Sequence, residues 1–160
     1  MPRARPIGLI SSVPFESRFL LGRLTHARRP LAHVTAGRLG LTDVVHATSD
    51  VGVANASHAA TLLILRFAPR ALVLFGIGGA YADSGLANGA VALAESEAYA
   101  DLGLPDGRGM EAVGIPLLAR GRRKFFNEFP LDRTLLARAR KVLGKEPHTC
   151  LLYTSDAADE

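Results

Sequence analysis

Hydrophobic and polar positions along this chain fall into short blocks whose period keeps changing, as expected where strands and helices alternate. Pro6 to Val13 (PIGLISSV) is a compact apolar segment that reads as a first strand. Pro14-Phe15-Glu16-Ser17 then turns the chain into an amphipathic helix, with Phe19, Leu20 and Leu24 on one side and Arg18 and Arg23 elsewhere. Between Leu31 and Ser49, the stretches His33-Val34-Thr35 and Asp43-Val44-Val45-His46 flank Gly37-Arg38-Leu39-Gly40-Leu41, which predicts a hairpin. His33 and His46 read as ordinary strand residues. A loop from Ser49 to Asn55 opens into a helix from about Ala56 to Ala68, which Pro69 closes.

The chain is organised around Ala71 to Leu104. The unbroken apolar run Ala71-Leu72-Val73-Leu74-Phe75 suits a strand covered on both faces. It ends in Gly76-Ile77-Gly78-Gly79, where glycines allow positive φ and let backbone N–H groups come close to a ligand. A dinucleotide fingerprint would need a third glycine where Tyr81 stands, with a helix starting there. Instead Asp83-Ser84-Gly85 and Asn88-Gly89 signal turns, and Ala90 to Tyr99 reads as a second extended segment. Strand, glycine loop, turn and strand point to a small-molecule loop or a plain tight turn rather than a nucleotide-cofactor entry.

Pro105-Asp106-Gly107-Arg108-Gly109 reads as a flexible loop. Further on, Asp132 is placed to cap a last helix with Leu135, Leu136, Ala139, Val142 and Leu143 on one face and Gly144 as its stop. Pro147-His148-Thr149 leads toward a strand that the following residues are not expected to supply. Cys150 to Glu160, CLLYTSDAADE, breaks the Arg/Ala/Gly/Leu style of everything before it and reads as a translated sequencing adapter. The expected organisation is therefore residues 1–149 as the N-terminal portion of a single domain and 150–160 as a non-native tail that contains the only cysteine.

Composition narrows the classes. With 160 residues and 48% hydrophobic content the chain can build one globular core. The single cysteine excludes an internal disulfide framework, and no Cys/His spacing suggests a metal. No run approaches the roughly 18 apolar residues of a membrane span, and the start has the wrong flanks for a signal peptide, so a cytoplasmic protein with no membrane partner is expected. The net charge of +4 comes from scattered basic residues, clustered only at Arg28-Arg29 and at Arg120, Arg122, Arg123 and Lys124. With no aromatic interleaving, a solvated basic surface is favoured over nucleic-acid binding.

Among candidate chemical groups, Glu16 falls at the exit of the first strand and in the first turn of the first helix. The helix dipole favours its ionised form there, so it either serves as a base or merely complements the dipole. The Ser49–Asn55 loop offers backbone donors, as most helix starts do. His58 reads as a packed or solvated helical histidine.

Taken together, several features resemble the nucleoside phosphorylase and nucleosidase superfamily and, within it, the futalosine hydrolase family. They are Val13-Pro14-Phe15-Glu16 after the first strand, Gly52 to Asn55 before an alanine-rich helix, Gly76-Ile77-Gly78-Gly79-Ala80-Tyr81, Ser84-Gly85-Leu86, Glu97 with Tyr99 to Gly103, and Phe126 to Asp132. The resemblance implies a three-layer α/β/α sandwich around a mixed, partly closed sheet, with the C-terminal part missing. It implies hydrolysis of a purine nucleoside, futalosine, to hypoxanthine and dehypoxanthine futalosine in menaquinone biosynthesis. By resemblance Glu16 is the carboxylate that activates water, Ile77, Gly78 and Gly79 line the sugar and base, and Val13 and Val51 touch the ribose and its 5′ substituent.

No metal or organic cofactor is implied, and the usual assembly is a homodimer or larger, with the 104–114 loop reaching a neighbour's site. Ala90 departs from the aspartate common in relatives. The pair gripping the ribose hydroxyls, the aromatic stacking on the base and the acid for the leaving purine would all lie beyond this chain. Alternatives are a methylthioadenosine or S-adenosylhomocysteine nucleosidase, a phosphorylase with Arg38 as its one nearby cation, and a non-catalytic α/β ligand-binding module.

Overall fold

The computed structural model describes residues 4–99, 102, 109–144 and 147–154. The chain forms two compact units, Met1–Gly79 and Ala80–Glu160.

The first unit runs β1 (Ile7–Ser11), α1 (Pro14–Leu21), β2 (Thr25–Leu31), β3 (Val34–Leu39), β4 (Thr42–Thr48), α2 (Val53–Phe67) and β5 (Ala71–Leu74). These strands make one mixed sheet in the order β2-β3-β4-β1-β5. β1 runs parallel to both neighbours, with Ile10 opposite Ala47 on β4 and Leu74 on β5. The hairpin expected around Gly40-Leu41 forms as β3 and β4, with Leu39 opposite Thr42 and Gly40 at φ +58°. Parallel strands β4 and β5 are joined through α2, the crossover that a parallel pair requires.

The core of this unit lies between the sheet and α2. Ile10, Val34, Ala36, Val45 and Ala47 pack with Ala59 and Leu63, and Leu63 is fully buried. Ala59 and Leu63 are four residues apart and so share one helix face. Ile64 and Leu65, just past that face, are exposed. Ala68 ends the helix in the left-handed region at φ +43°, and Pro69 follows.

The second unit contains β6 (Ala92–Tyr99), a 3₁₀ turn (Met110–Val113), β7 (Leu118–Arg120), β8 (Arg123–Phe125), β9 (Glu128–Pro130), α3 (Arg133–Leu143) and β10 (His148–Thr154). β6 is the centre of a three-stranded sheet, antiparallel to β9 and parallel to β10, while β7 and β8 form a separate hairpin. The Asn127 side chain extends the β6 pairing by accepting from Tyr99 N (3.1 Å) and donating to Tyr99 O (2.7 Å). Asp132 caps α3 as expected, accepting from Thr134 N at 2.8 Å and Leu135 N at 3.0 Å. The predicted turns are present, with Gly85 at φ +71° and Gly89 at φ +84°.

Several expectations are corrected. A strand does follow Pro147: β10 pairs with β6 from His148↔Ala92 to Thr154↔Tyr99, with a register shift at Cys150/Leu151. Whatever its origin, Cys150-Leu151-Leu152 is apolar enough to pair. β5 is not covered on both faces: Val73 and Leu74, which point to opposite faces, are both exposed, and the strand stands at the sheet edge. Of the three residues placed on one side of the first helix, Leu20 is half-buried, Leu24 is half-buried but lies beyond α1, and Phe19 is 71% exposed with Arg23 over its ring. α2 starts at Val53 rather than Ala56. His33 is in the β2–β3 turn at φ +60°, not in a strand. On α3, Leu135, Leu136 and Ala139 turn inward, while Val142 and Leu143 remain exposed. Pro105 to Arg108 and residues 155–160 lie outside the described residues. Among the described residues no helix is long and apolar enough to cross a membrane.

Candidate functional site

In the first unit, β1, β4 and β5 are parallel, so the segments leaving them emerge at one end of the sheet. Open α/β sheets place ligands at this carboxyl end. The three exits are Ser12-Val13 after β1, Ser49 to Gly52 after β4, and Phe75 to Gly79 after β5.

Glu16 links two of them. Its Oε2 accepts from Ser12 N at 2.9 Å and Val13 N at 3.1 Å, and its Oε1 accepts from Ile77 N at 2.9 Å. Pro14 at the first position of α1 and Glu16 in its first turn make this local geometry natural, since a first-turn carboxylate can reach back to the free N–H groups that open a helix. Desolvation raises the Glu16 pKa, but the N–H groups of Ile77, Val13 and Ser12 outweigh it, so the carboxyl is held below its ordinary value. A carboxylate has about four lone-pair positions. Among the described residues, two on Oε2 and one on Oε1 are taken, which leaves one on Oε1 for a further donor.

Gly76 is required by this arrangement for lack of a side chain rather than for φ. A Cβ there would lie 2.5 Å from Glu16 Oε1 and 3.0 Å from its Cδ. Gly76, Gly78 and Gly79 are not among the glycines at positive φ, which corrects the expectation for this loop. The strained backbone is in the β4 exit instead, with Asp50 at φ +66° and Gly52 at φ +103°. That loop is held by Ser49 N donating to Ser11 O at 2.9 Å and by Asn55 Nδ2 donating to Val51 O at 2.7 Å.

The structure therefore brings Glu16, Val13 and Ile77 into direct hydrogen-bonded contact. Val51 stands on the neighbouring β4 exit, 68% exposed, and Gly78 and Gly79 continue the β5 exit, also exposed. Arg38, the cation named for phosphate, is misplaced for that role. It lies opposite Asp43 near the amino end of β4, roughly 17 Å along the strand from the exits at about 3.4 Å per residue. It pairs there with Asp43 at 3.4 Å and donates to Leu41 O at 3.3 Å. His58 is on α2 and exposed. Among the described residues no group of three His, Cys, Asp or Glu side chains could hold a metal ion.

Sequence reading places His46 in a strand, as found in β4, but does not bring it together with Ser11. Both are buried, and Ser11 Oγ lies 2.9 Å from His46 Nε2. The available signal was a serine pair closing an apolar strand and a histidine inside another.

A sequence profile of the phosphorylase superfamily matches residues 6–157. Futalosine hydrolase from Thermus thermophilus is 35% identical over 136 residues, which cover 85% of this chain and 56% of that protein. The MTA/SAH nucleosidase of Streptococcus pneumoniae, solved with 8-aminoadenine, superposes with a TM-score of 0.78 at 25% identity over 95% of this chain and 64% of its own. The MTA/SAH nucleosidase of Colwellia psychrerythraea, solved with adenine, gives 0.77 at 26% identity over 97% and 64%. The chain thus spans little more than half the length of the curated relative and under two thirds of these two solved ones. With the superfamily profile running from β1 through β10 on a nucleoside phosphorylase-like fold, this chain belongs to the phosphorylase superfamily.

Proposed function

We propose that the whole protein containing this chain is a nucleosidase that hydrolyses the N-glycosidic bond of a purine nucleoside, with Glu16 as the base that activates water. The observation carrying this reading is a carboxylate fixed by three backbone N–H groups at the carboxyl end of the sheet, which among the described residues leave Oε1 able to accept one more donor. A water donating to that position is oriented and loses its proton to Oε1 as its oxygen bonds to the sugar carbon. The carbon–nitrogen bond breaks, and its electron pair leaves with the purine, which is then protonated. By resemblance an aspartate beyond residue 149 supplies that proton, and its loss would remove a contribution typically of 10²–10⁴ in rate. Without such an acid the chain alone is proposed to be inactive.

Futalosine is the proposed substrate, supported by the 35% identity to the Thermus enzyme. A second reading, a methylthioadenosine or S-adenosylhomocysteine nucleosidase, draws on the solved relatives named above. Both are hydrolytic, in keeping with the position of Arg38 away from the strand exits. Ile77, Gly78 and Gly79 are proposed to line the sugar and base, and Val13 and Val51 the ribose and its 5′ substituent. Cytoplasmic location and a homodimer or larger assembly belong to the same reading.

The test is to express the whole protein that contains this chain, incubate it with futalosine and with methylthioadenosine, and measure hypoxanthine and adenine. Hypoxanthine release from futalosine, lost in Glu16→Gln with nucleoside binding kept, is the expected result. Adenine release alone would move the protein to the second reading. Binding without cleavage of either would make it a ligand-binding module, and unchanged turnover in Glu16→Gln would remove Glu16 from the mechanism.

A further inference from the structure

A base held by backbone amides is only as well placed as the segments that carry those amides. Ser11, the last residue of β1, has no exposed surface, and its Oγ is 2.9 Å from Nε2 of His46, itself 1% exposed on β4. The His46 ring faces the ring of Phe75, with centroids 6.1 Å apart and planes at 49°. β1 lies between β4 and β5, and along the line Ser11–His46–Phe75 the His46 side chain on β4 reaches both Ser11 at the end of β1 and the ring of Phe75 just past β5.

Two members of that line adjoin the groups that hold Glu16. Ser11 precedes Ser12 and Val13, and Phe75 precedes Gly76 and Ile77. The backbone reinforces the connection: Ser11 O accepts from Ser49 N at 2.9 Å, and Ile10 O accepts from Phe75 N at 3.0 Å. Burial pushes the His46 pKa down, so the imidazole is neutral at physiological pH and acts through hydrogen bonding and ring packing rather than charge.

We propose that Ser11 and His46 are positioning residues for Glu16, fixing the exits of β1 and β5 so that the three N–H groups converge on one carboxylate. This rests on the reading of Glu16 as the base. The competing account is a buried polar pair that simply satisfies itself. Two buried partners can often be replaced together by apolar groups of similar shape at little cost in stability, whereas removing one strands the other. An apolar pair fills space without setting an angle, so the two accounts separate in the double variant.

The experiment uses the whole protein, ¹³C-labelled at glutamate carboxyls, as wild type, Ser11→Ala, His46→Leu and the double variant. Thermal stability, kcat, KM and the NMR titration midpoint of Glu16 are measured. Ser11→Ala is expected to lower kcat roughly tenfold with KM within about twofold, and to move the Glu16 midpoint up toward the ordinary glutamate value. The double variant is expected to regain stability but neither kcat nor the midpoint. Recovery of all three in the double variant, or an unmoved midpoint in Ser11→Ala, would overturn the proposal. If a single variant does not fold, the double decides. The titration needs no turnover, so a wild type that cleaves no nucleoside would refute the nucleosidase reading while the midpoint still decides the positioning role.

Discussion

Gly76 and Glu16 approach so closely that a Cβ at position 76 would fall 2.5 Å from Oε1, which only a shift of the carboxylate or of the loop could relieve. The glycine loop is thus tied to the carboxylate 60 residues upstream by sterics as well as by the bond from Ile77 N to Oε1. Replacing Gly76 with Ala forces either the carboxylate or the loop to move, and the Ile77 bond is the contact that gives way. In the whole protein, Gly76→Ala is expected to lower kcat/KM by about 10²-fold, the scale associated with a displacement of about 1 Å at a reacting group. Steady-state kinetics with the best nucleoside checks it, with circular dichroism confirming the fold.

The same hydrogen bonds set a pH signature. The folded Glu16 pKa lies below its ordinary value, so the carboxylate's bonds add stability above the unfolded value of about 4.3, and that contribution disappears as pH falls through the folded value. Urea unfolding of wild type and Glu16→Gln from pH 3 to pH 7 is expected to give a gap that is constant at neutral pH and shrinks as the pH falls below about 4. A gap that instead widens on acidification would mean that the folded state raises this pKa.

Much of the architecture was legible because periodicity and punctuation agreed. The run IGLIS, the hairpin at Gly40-Leu41, the helix closed by Pro69 and the Asp132 cap each carry a local signal strong enough to survive packing. Thr25–Leu31 (THARRPL) was invisible as a strand because, at the sheet edge, its first five residues are exposed and no alternation is imposed on it. The three-residue strands β7, β8 and β9 are too short for a period to show. At the site, Glu16 and the glycine loop were visible as motifs. Their contact was not, because a link across 61 positions is set by the parallel pairing of β1 and β5 rather than by any local pattern. The same holds for Ser11 and His46, which meet only when β1 pairs with β4.

Leu63 is the point where α2 is fastened to the sheet, fully buried against a cluster that includes Ile10, Val34, Val45 and Ala47. Leu63→Ala removes three carbons from a filled position and leaves a cavity, for which the usual cost is about 2–5 kcal/mol. Because α2 connects β4 to β5, loosening it also disturbs the β5 exit that carries Ile77. The expected outcome is a urea midpoint lowered by the equivalent of that cost, together with weaker protection of the Ile77 amide in hydrogen exchange. Leu65→Ala, on the exposed side of the same helix, is expected to change neither by a comparable amount.

In the second unit, α3 depends on its cap more than on its burial. No α3 residue is fully buried, and its last turn presents Val142 and Leu143 to solvent. The Glu95–Arg140 ion pair at 2.7 Å has both side chains about half exposed, so screening leaves it little weight. Asp132, in contrast, satisfies two otherwise free N–H groups at the helix start through a single oxygen. Asp132→Ala is therefore expected to cost about 1 kcal/mol, and Asp132→Asn or Asp132→Ser much less, because each keeps an acceptor in place. Chemical denaturation of these variants beside Glu95→Gln tests the ranking. If Glu95→Gln proved the more damaging, the ion pair rather than the cap would be what holds α3 to β6.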